Sequence, residues 1–291
     1  AGDPEIVVII GPTASGIHKA TKPVTDELGI VQIGAVSAAV LSQENFDWWF
    51  RAYPADVLQN RGALFFLESE GVKTIALVTS DDGFGQSAAD NFRAFAGDFG
   101  IEIVADEVYS PETTDPTIEI ARAVQAGPDA YVIWDGTNPA RVAQAVKTAR
   151  LQGVVDEIIM LPEGASGEAF LEAAGDAAEG AYFFSQFAGD DPLPGAQAEF
   201  VAAFQEQFNR VPDQEILGYI EAQIVAEGIR IALESEDGLT RESLRDAMES
   251  ITDLDTAIGP INYGPGKHDP QEEIDVQINQ YQGGLRVRIS R

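Results

Sequence analysis

TIALVTSDDGFGQSAADNFRAFAGDFGIEIVA, residues 74–105, reads as strand, helix, strand. Thr74 to Val78 is a short apolar run of strand length, Gln86 to Phe99 carries the amphipathic spacing of a helix, and Glu102 to Ala105 resumes a strand. Two strands joined through a helix form a βαβ unit, which needs a parallel neighbour and a sheet covered on both faces. The same alternation extends outward in both directions. Ile6 to Ile10, Val31 to Ile33, Ala130 to Trp134, Ile158 to Leu161 and Ala181 to Phe184 read as further strands. Val57 to Glu70, Thr117 to Ala126 and Pro139 to Gln152 read as helices between them. The later third is different: long helices at Gly195 to Asn209 and Asp213 to Glu234, then Arg241 to Ser250, and only afterwards the strand-like Val276 to Asn279 and Leu285 to Ile289. The fold class is therefore α/β with parallel sheets flanked by helices. Without a repeat or a low-complexity linker, two domains are expected to exchange the chain several times.

Two glycine loops invite a nucleotide reading. In the first, Gly11 to Gly16 follows the strand at Ile6 to Ile10, but Ile17-His18-Lys19-Ala20 comes next, with the lysine too far along the helix and no hydroxyl after it. That sequence does not make a P-loop. Two alternatives stay open: a helix N-terminus that seats a modest anion such as a carboxylate, or a plain turn with Ser15 as the helix cap. In the second, Gly83 to Ala88 fits G-x-G-x-x-A, but Thr79-Ser80-Asp81-Asp82 separate it from its strand. The two carboxylates would repel a pyrophosphate.

The chain has 291 residues, 45% of them apolar, enough for one large core or two smaller ones. Its 48 acidic and 18 basic residues give a net charge of −30, which makes nucleic acid and anionic membranes poor partners. Five of the basic residues are lysines, a balance that points to a salt-rich habitat, with ordinary acidity as the alternative. Without cysteine there is no disulfide and no thiolate metal site. The two histidines, His18 and His268, read as an exposed helix residue and a turn residue, and no G-x-S-x-G elbow accompanies them. Catalytic residues, cofactors and metal sites built on His or Cys are accordingly not expected, while an oxygen-only Ca²⁺ site stays open.

Taken in order, IIGPTASG, GIVQIGAVSAAVLS, FRAYPAD, VTSDDGFGQSAADNF, YVIWDGTNPARVAQAVKTARLQG, LPEGASG and AIGPINY resemble the branched-chain amino-acid-binding proteins, type I periplasmic solute receptors of ABC importers. The resemblance implies a two-lobed periplasmic-binding-protein type I fold with three crossovers, closing over a ligand without performing chemistry. It divides the chain into lobe 1 at 1–55 plus 187–262 and lobe 2 at 56–186 plus 263–291. By the same resemblance, Ser15 and Ser37 bind an α-carboxylate, Glu163 in the P-E-G turn takes the ammonium, and Asp56 lies near hinge and ligand. Phe84 supplies an aromatic wall, and Thr137 stands with Asn138 where the family often has an aromatic. Trp134 reads as a core residue at a strand end.

The implied ligand is a branched-chain or other apolar amino acid, the implied partner a membrane permease, and the implied location periplasmic or cell-surface. Members of the family begin with two further βα units, on the order of sixty residues. On that comparison lobe 1 is expected to be incomplete at its N-terminus and to self-associate through a bared strand edge. Two other functions follow from the same fold: a ligand or amide sensor acting on a signalling partner, and a shortened form with no ligand binding.

Overall fold

The structure is a computed structural model that describes residues 3, 5–42, 47–135, 138–270 and 277–290. The chain divides into two units, Ala1–Asp56 with Leu193–Ile274 and Val57–Pro192 with Asp275–Arg291, so it passes from one to the other three times.

Unit 1 begins with β1 (Val8–Ile10), α1 (Ser15–Glu27), β2 (Val31–Gly34) and β3 (Trp49–Arg51). The three strands form a parallel sheet in the order β1-β2-β3. At its centre, β2 is buried at every position, whereas Ile9 and Ile10 of β1 remain exposed. The sequence reading missed β3, because Trp-Phe-Arg is too short and too polar at its end to register as an apolar run.

Unit 2 opens with α2 (Asp56–Ser69), whose first residue belongs to unit 1. There follow β4 (Thr74–Ser80), α3 (Gly83–Phe95), β5 (Glu102–Tyr109), α4 (Thr117–Gln125), β6 (Ala130–Trp134), α5 (Pro139–Leu151), β7 (Ile158–Leu161), α6 (Glu168–Ala174) and β8 (Tyr182–Phe184). The chain returns to unit 1 for α7 (Ala196–Phe208), α8 (Glu215–Glu234), α9 (Arg241–Glu249) and the antiparallel pair β9 (Leu254–Thr256) and β10 (Gly259–Ile261). It ends in unit 2 with β11 (Ile278–Gln282) and β12 (Leu285–Ser290).

The sheet of unit 2 has the order β12-β11-β8-β7-β6-β4-β5, parallel from β8 to β5 and antiparallel where β11 meets β8 and β12. Period-two alternation sends Ala76, Val78, Tyr131, Ile133, Ile159 and Leu161 to one face, where α4, α5 and α6 cover them with Ile120, Val142, Val146 and Phe170. Each of the Val, Ile, Leu and Phe side chains among them, fully buried, contributes about 1.5–3 kcal/mol to stability. Because the opposite face of β4 and β6 is buried as well, these strands read as unbroken apolar runs. At the edge, β5 alternates exposed and half-buried residues.

Local chemistry sets the helix starts. Asp82 caps α3 by accepting from the N–H groups of Phe84 and Gly85, both at 2.9 Å. Gly85 is required there, since a Cβ would lie 2.1 Å from the Ser80 carbonyl oxygen. Asn138 caps α5, with Pro139 in the first turn, and Thr240 and Ser243 form a reciprocal capping box on α9.

The third passage between units falls at 274/275, not at 262/263 as read from the sequence. The intervening segment is tied to β3: Tyr263 Oη donates to the Arg51 carbonyl at 2.5 Å, Asp269 accepts from Arg51 Nε at 2.6 Å, and the Arg51 N–H donates to the His268 carbonyl at 3.0 Å. The second passage, at 192/193 instead of 186/187, leaves Asp190 in unit 2, where it accepts from Arg286 Nε at 2.8 Å.

Candidate functional site

In unit 1 the candidate residues leave the C-terminal ends of adjacent parallel strands. Ser15 follows β1, Ser37 follows β2 and Asp56 follows β3. Ser15 is the first residue of α1 and not its cap; Ala14 holds the cap position and offers no side-chain hydrogen bond. No acidic residue lies in the first turn either. The positive end of the helix dipole is therefore left uncompensated by its own sequence. Ser15 Oγ accepts from the Ala38 N–H at 3.3 Å, which joins the first loop to the second and keeps the hydroxyl proton for another acceptor. Among the described residues, the Ser37 hydroxyl engages no partner. Asp56 is fully buried; its Oδ1 accepts from the Ala39 N–H at 2.9 Å, and its own N–H donates to the Ser37 carbonyl at 2.6 Å. Asp56 thus braces the loop that carries Ser37.

Beneath these loops lies a set of buried polar side chains that the sequence reading did not single out. His18, read as an exposed helix residue, is wholly buried. Its Nε2–H donates to the Pro12 carbonyl at 2.6 Å, and its Nδ1 accepts from Trp49 Nε1–H at 2.9 Å. An indole N–H can only donate and a carbonyl only accept, which selects the neutral Nε2–H tautomer. Burial, reinforced by the nearby charges of Arg51 and Lys22, lowers the His18 pKa from 6.5 to about 4, against the opposing bond to Pro12. Gly34 makes room for this ring: a Cβ there would lie 2.2 Å from His18 Nε2. Lys22 is buried too, donating to the Leu41 carbonyl with its Nζ 4.3 Å from the Trp49 ring centroid. Glu221 of α8 accepts from the Ala35 N–H at 2.6 Å, and its burial raises its pKa.

His268 is no simple turn residue: its ring stacks on Phe50 with centroids 4.0 Å apart, Nδ1 lies 2.8 Å from the Trp49 carbonyl, and Nε2 lies 2.9 Å from Glu249 Oε1. A spacing-based search finds none of these interactions, because their partners lie far apart in sequence.

In unit 2 the candidates again follow neighbouring strands. Phe84 lies in the first turn of α3 after β4, and Glu163 begins a 3-10 turn directly after β7. The strand between those two is β6, ending in the fully buried Trp134. Thr137 lies outside the described residues. Phe84 and Glu163 are half-buried. Directly after β6, Asp135 accepts from Tyr109 Oη at 2.9 Å and from Arg141 Nε at 2.5 Å, while Arg141 also donates to the Pro111 carbonyl. Burial, followed by the Asp135 charge, pushes the Tyr109 pKa up. This buried cluster ties the loop after β6 to the loop after β5. The Asp82 carboxylate occupies the N–H groups at the head of α3, where a dinucleotide's pyrophosphate would have to sit. Among the described residues, no group of three His, Asp or Glu side chains is arranged to hold a metal, and no helix is long and apolar enough to cross a membrane.

The sequence profile of the periplasmic binding protein family matches residues 3–281. The Leu/Ile/Val-binding protein homolog 7 of Brucella suis biovar 1 is 23% identical over 303 aligned positions, covering 97% of this chain and 73% of that protein. A leucine binding protein from Thermotoga maritima superposes with a TM-score of 0.88 at 19% identity, over 99% of this chain and 80% of that one. A solute binding protein of an ABC transporter from R. palustris, solved in complex with benzoate, superposes with a TM-score of 0.85 at 20% identity, over 98% and 77% of the two chains. At these identities the structural matches establish a shared fold.

Proposed function

This chain belongs to the periplasmic binding protein family, and on that premise we propose that it is an extracytoplasmic solute receptor of an ABC importer that captures an amino acid with an apolar side chain. The family is one of binding proteins and not of enzymes. The observation that carries the reading is the head of α1. In a chain with a net charge of −30, it has neither a capping side chain nor an acidic residue in its first turn, and its first residue, Ser15, accepts from the N–H of Ala38, the neighbour of Ser37. A carboxylate accepts well from hydroxyls and helix N–H groups together.

In this reading Ser15 and Ser37 hold the α-carboxylate, Asp56 keeps their loop in place, Glu163 takes the α-ammonium, and Phe84 and Thr137 meet the side chain. The names of the relatives, Leu/Ile/Val-binding and leucine binding, support an aliphatic ligand. A membrane permease is the corresponding partner, and a periplasmic or cell-surface location follows from it. The ligand's differential affinity for a closed state would drive closure.

The benzoate complex of a structural relative favours a second reading, a carboxylate ligand without an ammonium. Isothermal titration decides between them. The protein is unfolded and refolded to strip carried-over ligand, then titrated at high salt with the aliphatic and aromatic amino acids and with benzoate. Binding of one or a few amino acids, abolished in Glu163→Gln with the fold intact, supports the first reading. Benzoate binding with silence across the amino acids would replace it by the second, and silence throughout would refute both.

Self-association through β1 belongs to the same proposal, since among the described residues this strand pairs only with β2 and exposes Ile9 and Ile10. A strictly monomeric species by light scattering would count against it.

A further inference from the structure

In the loop from Ala35 to Ser42 the carbonyls of Val36, Ser37, Ala38 and Leu41 are engaged, and one buried side chain holds two of them. Arg51, the last residue of β3, is fully buried. Its Nη1 donates to the Val36 carbonyl at 2.6 Å, while its Nη2 donates to the Ala38 carbonyl at 3.1 Å and to Ser42 Oγ at 2.7 Å. Its Nε is held by Asp269 at 2.6 Å, and its guanidinium carbon lies 5.2 Å from the Trp49 ring centroid. Two further carbonyls of the loop are engaged, Ser37's by the Asp56 N–H and Leu41's by Lys22. A guanidinium is a rigid planar fork of donors, so its contacts with residues 36, 38 and 42 define one loop conformation.

We propose that Arg51 is the positioning residue that makes this loop selective for an anionic ligand end. By drawing the Val36 and Ala38 carbonyls inward, it removes two acceptors that would repel a carboxylate. The Ser37 hydroxyl and the donors at the head of α1 are left to meet the ligand. Arg51 acts through the loop and touches no ligand itself. The inference rests on the carboxylate reading of Ser15 and Ser37.

The test uses Arg51→Lys, which keeps the charge but not the planar fork that spans three separated acceptors, and Ser42→Ala, which removes one of those acceptors at little risk to folding. Leucine and leucinamide are the probes, because they differ in the carboxylate alone. Both variants are expected to lose affinity for leucine, Arg51→Lys by about ten- to a hundredfold, the worth of one hydrogen bond to a charged group. Leucinamide affinity is expected to stay within about twofold.

A second readout needs no ligand: amide hydrogen exchange at Ser37, Ala38 and Ala39 is expected to accelerate more than the change in global stability accounts for. Equal weakening of leucine and leucinamide, or loop exchange that follows global stability alone, would overturn the proposal and leave Arg51 a merely structural residue. If the wild-type protein binds no amino acid, the functional reading fails by itself, and the exchange measurement still decides the role of Arg51.

Discussion

Acidification should destabilise this protein through a single buried imidazole. His18 is neutral in the folded state, with its pKa lowered from 6.5 to about 4, because Trp49 donates to the nitrogen that a proton would occupy and burial penalises the cation. Between those values the unfolded chain binds a proton that the native state refuses, so stability falls as pH falls. The contribution is fully present above pH 6.5 and is lost on the way down to about pH 4. Over that interval, at about 1.36 kcal/mol per pH unit, it amounts to about 3 kcal/mol, of which about 2.5 kcal/mol should be gone between pH 7.5 and 4.5.

The assay is urea denaturation at several pH values for the wild type and for His18→Gln, whose amide can still donate to Pro12 and accept from Trp49 but does not titrate. The many surface carboxylates titrate equally in both proteins and cancel in the difference. The wild-type curve should drop below the variant's by about 2.5 kcal/mol over this range. Parallel curves, agreeing to within about 0.5 kcal/mol, would refute the assignment of a neutral, doubly bonded His18.

Other outcomes are accessible to simpler measurements. Gly34→Ala should cost about 1–3 kcal/mol, because its new methyl group collides with the His18 ring, and the penalty should shrink in a His18→Ala background; equal penalties in both would show that the ring is not the obstacle. Gly85→Ala should lower the melting temperature of the unit containing α3, since its methyl group would meet the Ser80 carbonyl; an unchanged melting profile would contradict that close approach. Asp82→Ala should cost about 1 kcal/mol through the lost cap on α3, measured by denaturant titration. Melting in molar KCl should run well above melting in dilute buffer if the charge of −30 reflects adaptation to salt, and coincident melts would argue for ordinary acidity.

Where strands and helices were apolar and long, the sequence was sufficient. Ala130–Trp134 and Ile158–Leu161 are strands with the boundaries their composition suggests, because a parallel strand covered on both faces has no room for polar interruption. Polarity hid β3: Trp49–Arg51 ends in a cation whose burial is possible only because Asp269, more than two hundred residues later, joins three acceptors around it. His18 was misread for the same reason. On a helical wheel it stands among Lys19, Thr21 and Lys22, yet Trp49 and the cavity at Gly34 receive it. Lys22 also lies inside, so α1 presents to its sheet a face that looks solvent-exposed in composition. Ser15, Ser37, Asp56, Phe84 and Glu163 were singled out by resemblance to a family, and the structure adds that each follows the end of a strand. What braces those loops comes from distant residues and left no local pattern.

The last two strands of unit 2 have a further consequence. Gly180 donates to the Tyr281 carbonyl, and the Gln280 side chain reaches back to the Gly180 carbonyl, so the edge of this sheet is closed by residues about a hundred positions downstream. Everything in unit 1 after Leu193 is translated before β11 and β12 emerge. Contact order is correspondingly high, and the five parallel strands of unit 2 must wait beside a growing helical segment with β8 unpaired on one side. A ribosome-bound intermediate of this chain would therefore expose a strand edge that the finished protein does not, and that interval is when a chaperone would matter most.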